Sequence, residues 1–431
     1  MNTTTIISTW QTIIQQFFPI FTKPTSKIFL KLVTGWVLCT AKRTITGILP
    51  FADTQGQRAH DAYHRFFPDA SWAISKLWHM LTILLVKIFY PTGVILTDLD
   101  DTLFHHSGRK VNGAGWWRDA VRSTGTKLVH AWGLNLVVLT LRINPPWGGG
   151  PLGLPINMRL HRKNGPTLTD LAEEMLCQVA QWLHKRQFIN HCDGFYASIA
   201  GRDIPNTHII SRMRQDANIY DLLPKKKKKR RGRPRKRGRK LPAPEQMAKR
   251  VRNWRQVETV ERGKARKRLI YVRKVIWYKV SEKPVLLVIS RDPKGKEKDD
   301  FFFTTGLNLT SAEVIGGFAG RWSIEDTIKN TKQFLGGQEP QTFKGKGPQR
   351  AAALSLWLYS VVWLCYLQQK NAQKLMLRLP WYPTKAHPGF QDALVVLRRA
   401  LWKERIKSMF GKFTVHDKNT DFLIEALASA A

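Results

Sequence analysis

Apolar residues recur at helical spacing through the first 90 residues of the chain. The pattern is clearest around Leu32 and Trp36, and it returns around Leu77 and Leu81. Lysines such as Lys27 and Lys31 occupy the polar positions between them. The spacing therefore predicts a helical region over residues 1–90.

The pattern changes to short apolar runs at residue 94. Residues 94–97 form one such run and lead directly into Asp98, and residues 135–143 form a second, so both predict strands. Residues 167–170 resemble a capping box, which predicts a helix to about residue 185. Residues 188–192 predict a strand that ends at Asp193. Strands, a helix and then a strand, with acids at the strand ends, is the order typical of an RNase H-like sheet.

A second β-rich stretch follows, over residues 257–305. A full capping box at Thr310–Glu313 then predicts the start of one helix that carries Glu325 and ends at Gly336–Gly337. A long apolar helix is predicted from about Arg350 to Gln368. The apolar window of residues 77–96 is interrupted by polar residues and proline, so it predicts buried helix and strand rather than a membrane span.

These patterns predict an α/β fold: an RNase H-like mixed sheet with helices on both faces, interrupted by a β-rich insertion domain and preceded by an N-terminal helical domain. The predicted divisions are residues 1–90 (N-terminal helices), 91–224 (catalytic core, first part), 225–306 (basic arm and β-rich insertion), 307–370 (catalytic core, second part) and 371–431 (C-terminal helices).

Charge indicates the class of partner. The 431 residues include 70 Lys and Arg against 31 Asp and Glu, a net charge of +39, which is typical of proteins that bind nucleic acid. Thirteen of the 16 residues from Lys225 to Lys240 are basic, and the rest of the chain is also strongly positive. Residues 1–90 can then be interpreted as a small helical domain with solvated lysines or as a module that binds a DNA end.

The four cysteines are scattered without a Cys-x-x-Cys pair, which argues against a zinc site and a disulfide framework. The N-terminus has no basic flank before an apolar run, so no signal peptide is predicted. We therefore expect a reduced, cytoplasmic setting.

One helix pattern combines both signs of charge. Arg321 lies four residues before Glu325 and Lys332 lies seven after it, and both offsets return to one face of a helix. An exposed pair of this kind is often only a surface ion pair. Here the pattern also suits a metal-binding carboxylate between two groups that bind phosphate.

Two further acids, Asp100 and Asp193, follow predicted strands and could converge with Glu325. Phosphodiester chemistry by two divalent cations needs about three converging carboxylates, and Mg²⁺ prefers oxygen ligands. Asp98 and Asp101 flank Asp100 and remain alternatives to it. Asp193 could instead only initiate a turn at Gly194. Asp326 lies beside Glu325 but about 100° away around a helix.

The helix pattern resembles that of a known family. DDE-type transposases of bacterial insertion sequences carry Asp, Asp and Glu on an RNase H-like fold, and the insertion-sequence-four branch adds Tyr-x2-Arg-x3-Glu-x6-Lys. This chain has Phe318-x2-Arg321-x3-Glu325-x6-Lys332, so three of the four positions match. Asp100–Phe104 resembles the first-aspartate region of such enzymes. Phe318 departs from the family because it lacks the hydroxyl that helps to hold phosphate.

The resemblance implies a transposase that cleaves and joins DNA at inverted-repeat ends. It implies Asp100, Asp193 and Glu325 as catalytic ligands of two Mg²⁺ ions, with Mn²⁺ as a substitute. The implied partners are double-stranded DNA and a second copy of the chain, with no membrane, in a nucleoid-associated cytoplasmic setting. The expected DNA contacts are Arg321, Lys332, Arg231, Arg233, Arg235, Lys236 and Trp277, the last by stacking on a base, a role for which Trp254 is an alternative.

Other classes of function remain as alternatives. The segment from Asp98 to Leu103 also resembles the first motif of haloacid-dehalogenase-type phosphatases, in which Asp98 would be the nucleophile. A later strand ending in an acidic pair, which such phosphatases need, is missing. A third hypothesis is a DNA-binding relative of transposases that has lost catalysis, with residues 231–236 either resembling an AT-hook or forming a loose phosphate-binding arm.

Overall fold

The computed structural model describes residues 3–223, 236–378, 380–410 and 418–430. The helices of these segments are α1 (Thr3–Gln16), α2 (Lys23–Leu38), α3 (Ile45–Ala52), α4 (His60–Phe66), α5 (Ile74–Phe89), α6 (Leu168–Trp182), α7 (Pro244–Arg250), α8 (Ser311–Gly320), α9 (Ser323–Phe334), α10 (Gly347–Leu367), α11 (Phe390–Phe410) and α12 (Lys418–Ser429). The strands are β1 (Ile95–His105), β2 (Gly115–Arg118), β3 (His130–Ile143), β4 (Leu152–His161), β5 (Phe188–Cys192), β6 (Thr207–Arg212), β7 (Arg255–Glu261), β8 (Lys264–Val275), β9 (Val285–Arg291) and β10 (Asp300–Thr304). The predicted mixture of helices and strands is confirmed.

All ten strands belong to one mixed sheet, in the order β2-β3-β1-β5-β6-β10-β9-β8-β7, with β4 paired to β3. β1 pairs antiparallel with β3 and parallel with β5, and β5 pairs parallel with β6. The carboxyl ends of β1 and β5 therefore point to the same edge of the sheet. Asp193 directly follows β5, as predicted, but β1 continues to His105, so Asp100 lies in the middle of a strand rather than at a strand end.

The β-rich segment continues this sheet. The sequence predicted an insertion that interrupts the core sheet, but β10 pairs antiparallel with β6, and β9, β8 and β7 follow it in order. A sequence pattern specifies a strand but not the neighbour whose backbone groups complete its hydrogen bonds. For β10, that neighbour is β6.

The helix predicted to carry Glu325 is divided in two. The Thr310–Glu313 capping box is present at the start of α8, as predicted. The chain then tightens at Arg321 and Trp322, where the backbone N–H groups of Arg321 and Ile324 donate to carbonyl groups three residues earlier, and α9 begins at Ser323. Arg321 and Glu325 therefore lie on either side of a break in the helix.

The core surrounds α10, whose side chains are almost all buried. Among the described helices, α10 alone is long and apolar enough to span a membrane, but 94% of its most apolar window is buried in the protein. α1 and α5 pack against α10. The Trp36 indole of α2 donates a 2.7 Å hydrogen bond to the Leu335 carbonyl group just after α9. The N-terminal helices thus share a core with the part of the chain that carries Glu325.

Candidate active site

The three predicted acids come from three different elements. Asp100 lies on β1, Asp193 directly follows β5, and Glu325 is the third residue of α9. The parallel register pairs Leu99 with Cys192, so Asp100 and Asp193 occupy the next step on neighbouring strands. The side chain of Asp193 does not cap the 3-10 turn that follows it, and the residue is exposed.

The guanidinium group of Arg321 joins two of these acids. Its Nη1 donates to Asp100 Oδ2 at 2.7 Å and its Nη2 donates to Glu325 Oε1 at 2.8 Å. Burial alone would lower the pKa of Arg321, but the charges of Asp100, Glu325 and Asp193 outweigh it and raise that pKa. Arg321 thus contacts Asp100 and Glu325 directly, and it lines the same cavity as Asp193.

Burial has the opposite effect on the pKa of the carboxylates: it lowers the pKa of Arg321 but raises that of Asp100 and Glu325. Burial raises the pKa of Asp100 to about 6, although the nearby Arg321 charge works against that rise. Burial also raises the pKa of Glu325, again opposed by Arg321. The Arg321 charge thus favours the ionised form of both carboxylates.

The chemistry of this donor set fits a hard cation such as Mg²⁺. The donors are carboxylate oxygens, and a positive group already lies between Asp100 and Glu325. As the side chains stand, however, no three His, Cys, Asp or Glu residues in the described parts of the chain are grouped closely enough to hold a metal. The Arg321 guanidinium takes the space between two of the donors.

The acids that flank Asp100 have other partners. Asp98 is fully buried and forms an ion pair with Arg142, so its carboxylate is not accessible to a phosphate substrate. Asp101 accepts a 2.8 Å hydrogen bond from the hydroxyl group of Tyr196. These contacts favour Asp100 as the acid available to the site and disfavour the phosphatase alternative. Nothing in the sequence indicated Tyr196 as a partner.

Residues 16–282 match the family model described as DDE superfamily endonuclease. The chain belongs to this family. The matched span contains Asp100 and Asp193 and ends before Glu325. None of the curated proteins matches the chain significantly.

Among solved structures, the chain is similar to one in "Cryo-EM structure of piggyBac transposase synaptic complex with hairpin DNA (SNHP)". The two chains share 9% sequence identity with a TM-score of 0.42, and the match covers 94% of this chain and 76% of the other.

A cavity with more basic than acidic residues, the basic cavity, opens beside Asp193 and Arg321. Its volume is about 590 Å³, and both Asp193 and Arg321 line it. The other basic residues of the lining come from the end of β6 and from the β7–β8 hairpin: Arg212, Arg262, Lys264, Arg266 and Arg268. Three further acids line the cavity, and Asp300, Glu297 and Glu261 form ion pairs with Arg212, Arg266 and Arg268, respectively. The strong charge of β8 was visible in the sequence, but its position beside Arg321 was not.

The tip of that hairpin reaches the break between α8 and α9. Arg262 adopts a left-handed backbone conformation at the turn, with φ 51°. Its guanidinium group lies 4.1 Å from the centre of the Trp322 ring, a cation–π distance. Sequence reasoning missed both residues, because neither belongs to a recognisable motif.

Two of the predicted DNA contacts of the endonuclease have different surroundings from those expected. Trp277 is only 5% exposed and packs edge-on against Phe303 at 5.2 Å, so this arrangement leaves little of its ring open to a base. Trp254 is half-buried, and the guanidinium group of Arg291 lies 4.2 Å from the centre of its ring.

The basic residues predicted to contact DNA are distributed differently. Lys332 does not reach Glu325: its ammonium group lies 5.7 Å from the centre of the Phe104 ring. Lys236 is exposed and forms a 2.8 Å ion pair with Glu282. Three others, Arg231, Arg233 and Arg235, lie outside the described residues.

Phe318, at the position where the resembled branch has Tyr, lies between two cations. Its ring centre is 5.3 Å from the Arg212 guanidinium carbon and 5.6 Å from that of Arg321. Phe302 packs 5.0 Å away. The aromatic ring therefore contacts both basic groups even though it has no hydroxyl.

Proposed function

We propose that this endonuclease is a transposase of the insertion-sequence-four type, which cuts and joins double-stranded DNA at the ends of its own element. The observation that carries the proposal is that Arg321 joins Asp100 of β1 to Glu325 of α9 and lines the same cavity as Asp193, which follows β5. A surface ion pair would not need acids from β1, β5 and α9. The proposed catalytic core is RNase H-like, and the proposed active form is a homodimer that bridges two DNA ends.

Asp100, Asp193 and Glu325 would hold Mg²⁺ or Mn²⁺. When bound, these ions supply an activated attacking oxygen and stabilisation of the leaving oxygen in phosphoryl transfer. The chain itself positions the donors. Arg321 bridges Asp100 and Glu325 and favours their ionised forms, which are the forms that bind metal, and a metal held by both carboxylates would take the place of its guanidinium group.

The basic cavity supports DNA as the substrate. Arg212, Arg262 and Lys264 surround an opening that also exposes Asp193. Basic groups of this kind neutralise phosphates without reading base sequence, and they fix the position of the strand relative to the reacting centre. A phosphodiester in this cavity would lie next to Asp193 and to Arg321, which holds Asp100 and Glu325.

The test is nicking of supercoiled plasmid DNA in Mn²⁺ by the full chain and by Glu325→Gln. We expect the substitution to reduce nicking by about 100-fold or more, because it removes a charged metal donor without changing the shape of the side chain. DNA binding in a gel-shift assay should be retained. The matched control is Asp326→Asn, an exposed neighbouring carboxylate on the same helix.

Nicking by Glu325→Gln at the wild-type rate would remove Glu325 from the site. Wild-type protein that binds the plasmid but does not nick it would instead support the DNA-binding relative without catalysis.

A further inference from the structure

The residues that lie two positions before each proposed metal ligand meet in the protein interior. Asp98 precedes Asp100, His191 precedes Asp193, and Ser323 precedes Glu325. Their exposed fractions are 0%, 1% and 6%, respectively. The elements that carry the acids, β1, β5 and α9, therefore also contact one another through these three buried side chains.

Asp98 is the centre of this group. Its Oδ2 accepts hydrogen bonds from Arg142 Nε at 3.0 Å and from Ser323 Oγ at 3.1 Å, and its Oδ1 accepts from Arg142 Nη2. His191 Nδ1 lies 3.4 Å from Asp98 Oδ1. We call Asp98, Arg142, His191 and Ser323 the Asp98 cluster.

The orientation of His191 follows from its other contact. His191 Nδ1 lies 2.9 Å from the carbonyl oxygen of Thr97. A carbonyl oxygen only accepts, so the proton must be on Nδ1, which then also faces the Asp98 carboxylate. Through Nδ1, His191 of β5 thus contacts two successive residues of β1, Thr97 and Asp98.

The geometry of each element connects the cluster to the acids. On β1 and β5, residues two apart project from the same face, so Asp98 and His191 lie one step below Asp100 and Asp193. On α9, residues two apart differ by about 200° around the axis. Ser323 therefore turns towards β1 while Glu325 turns towards Arg321.

Helix α8 approaches the cluster through two glycines. A Cβ atom on Gly317 would lie 2.6 Å from His191 Nε2, and one on Gly320 would lie 2.6 Å from Arg142 Nη1. A larger residue at either position would therefore require the side chain of His191 or Arg142, or α8 itself, to move. The start of α9 follows α8 directly, so this close approach also determines where Glu325 lies.

A buried ion pair with its hydrogen bonds satisfied stabilises one arrangement of the elements that supply it. Removing one partner leaves a buried charge without compensation, which is strongly destabilising. The elements that supply the Asp98 cluster are β1, β3, β5 and α9. Relative movement of these elements would therefore break contacts that water cannot replace.

We propose that the Asp98 cluster is a positioning unit that sets the spacing of Asp100, Asp193 and Glu325 for divalent-cation binding. The inference rests on the proposed function, since it takes those three acids as the ligands. None of the four cluster residues is assigned contact with DNA or with the metal. Their effect is exerted through the backbones that they connect.

Ser323→Ala is the most direct test, because it removes one hydrogen bond while leaving the buried Asp98–Arg142 ion pair in place. The matched control is Ser360→Ala. Ser360 is another fully buried serine, and its hydroxyl group donates a 2.8 Å hydrogen bond from α10 to the Pro155 carbonyl group of β4. Both changes remove one interior hydrogen bond between a helix and the sheet.

Two measurements are made on each full-length variant. Mn²⁺ binding is followed by the electron paramagnetic resonance signal of free Mn²⁺, and plasmid nicking is followed as a function of Mn²⁺ concentration. We expect Ser323→Ala to weaken Mn²⁺ binding and raise the half-saturating Mn²⁺ concentration by about 10-fold, as for other residues that support metal ligands. Ser360→Ala should lose a similar amount of thermal stability but leave Mn²⁺ binding and the half-saturating Mn²⁺ concentration unchanged. Ser323→Thr keeps the hydroxyl group, so it should have wild-type values of both quantities.

If Mn²⁺ binding and nicking depend on Mn²⁺ concentration equally in Ser323→Ala and Ser360→Ala, the positioning role is wrong. The Asp98 cluster would then only stabilise the fold. Glu325→Gln separates this failure from failure of the proposed function. If Glu325→Gln loses Mn²⁺ binding and nicking while Ser323→Ala does not, only the positioning inference is wrong. If Glu325→Gln keeps both, the acids are not the ligands, and both proposals are wrong.

Discussion

Arg321 donates a 2.7 Å hydrogen bond to Asp100, a residue 221 positions earlier in the chain. Its other terminal nitrogen donates to Glu325, only four residues away. One guanidinium group thus connects a strand of the sheet to a helix that the chain reaches much later. The Arg–x3–Glu spacing in the sequence describes only the local half of this arrangement.

We expect Arg321→Gln to destabilise the fold, because it leaves the partly buried carboxylates of Asp100 and Glu325 without a cation. The loss in free energy of unfolding should be about 2 kcal/mol or more at pH 8. It should be smaller at pH 5, because without Arg321 the pKa of Asp100 rises above its present value of about 6 and the acid is neutral there. Urea denaturation at the two pH values measures the difference.

The control for this change is Arg262→Gln, which removes an exposed arginine whose charge also acts on Glu325. It should change stability by less than about 0.5 kcal/mol at both pH values. An equal loss in the two variants would show that Arg321 contributes only as a general positive charge.

Lys332 should give the protein a pH-dependent stability on the alkaline side. Burial lowers the pKa of its ammonium group to about 8, below its ordinary value of 10.5. Below pH 8 the lysine is charged in both the folded and the unfolded chain, and burial of the charge costs stability. As the pH rises from 8 to 10.5, the folded chain carries the neutral form and this cost disappears.

We therefore expect Lys332→Met to be more stable than the wild type at pH 7, with the difference shrinking by pH 10. Urea denaturation across this range provides the measurement. Lys329→Met, which replaces an exposed lysine on the same helix, should show no such trend. A constant difference between Lys332→Met and wild type would mean that the charge of Lys332 is not affected by burial.

The basic cavity should contribute to DNA affinity in proportion to its charge. Replacing both Arg262 and Lys264 with glutamine should flatten the dependence of log binding constant on log salt concentration by about 2, because two phosphate contacts are lost. Fluorescence anisotropy with a labelled duplex at several salt concentrations measures this slope. Lys370→Gln, at an exposed lysine that does not line the cavity, is the control. An unchanged slope in the double variant would exclude the hairpin tip from the DNA path.

Several local features were predictable because they depend on residues close together in the sequence. The capping boxes at Thr167 and Thr310 start α6 and α8 as predicted, since the side chain and the backbone groups that it caps are three residues apart. The strand at residues 188–192 has the predicted bounds, and the predicted long apolar helix is α10. The large positive charge predicted a nucleic-acid partner, and the chain belongs to an endonuclease family.

Long-range relationships could not be predicted in this way. Trp277 looked available to stack on DNA, but only the packed sheet showed that Phe303 covers it. The sequence predicted strands in the β-rich segment, but it did not predict that β10 pairs with β6. The break at Arg321 was not predicted, although Gly320, a residue that disfavours helix, directly precedes it.

The sequence by itself determined the local elements, the charge and the three candidate acids. Only the tertiary structure decided that Arg321 lies between two of those acids and that Asp98, beside Asp100, is buried in an ion pair. The physical reason is that spacing along a chain specifies which residues share a face of one element. Contacts between elements depend on burial and on the pairing of polar groups across the whole fold.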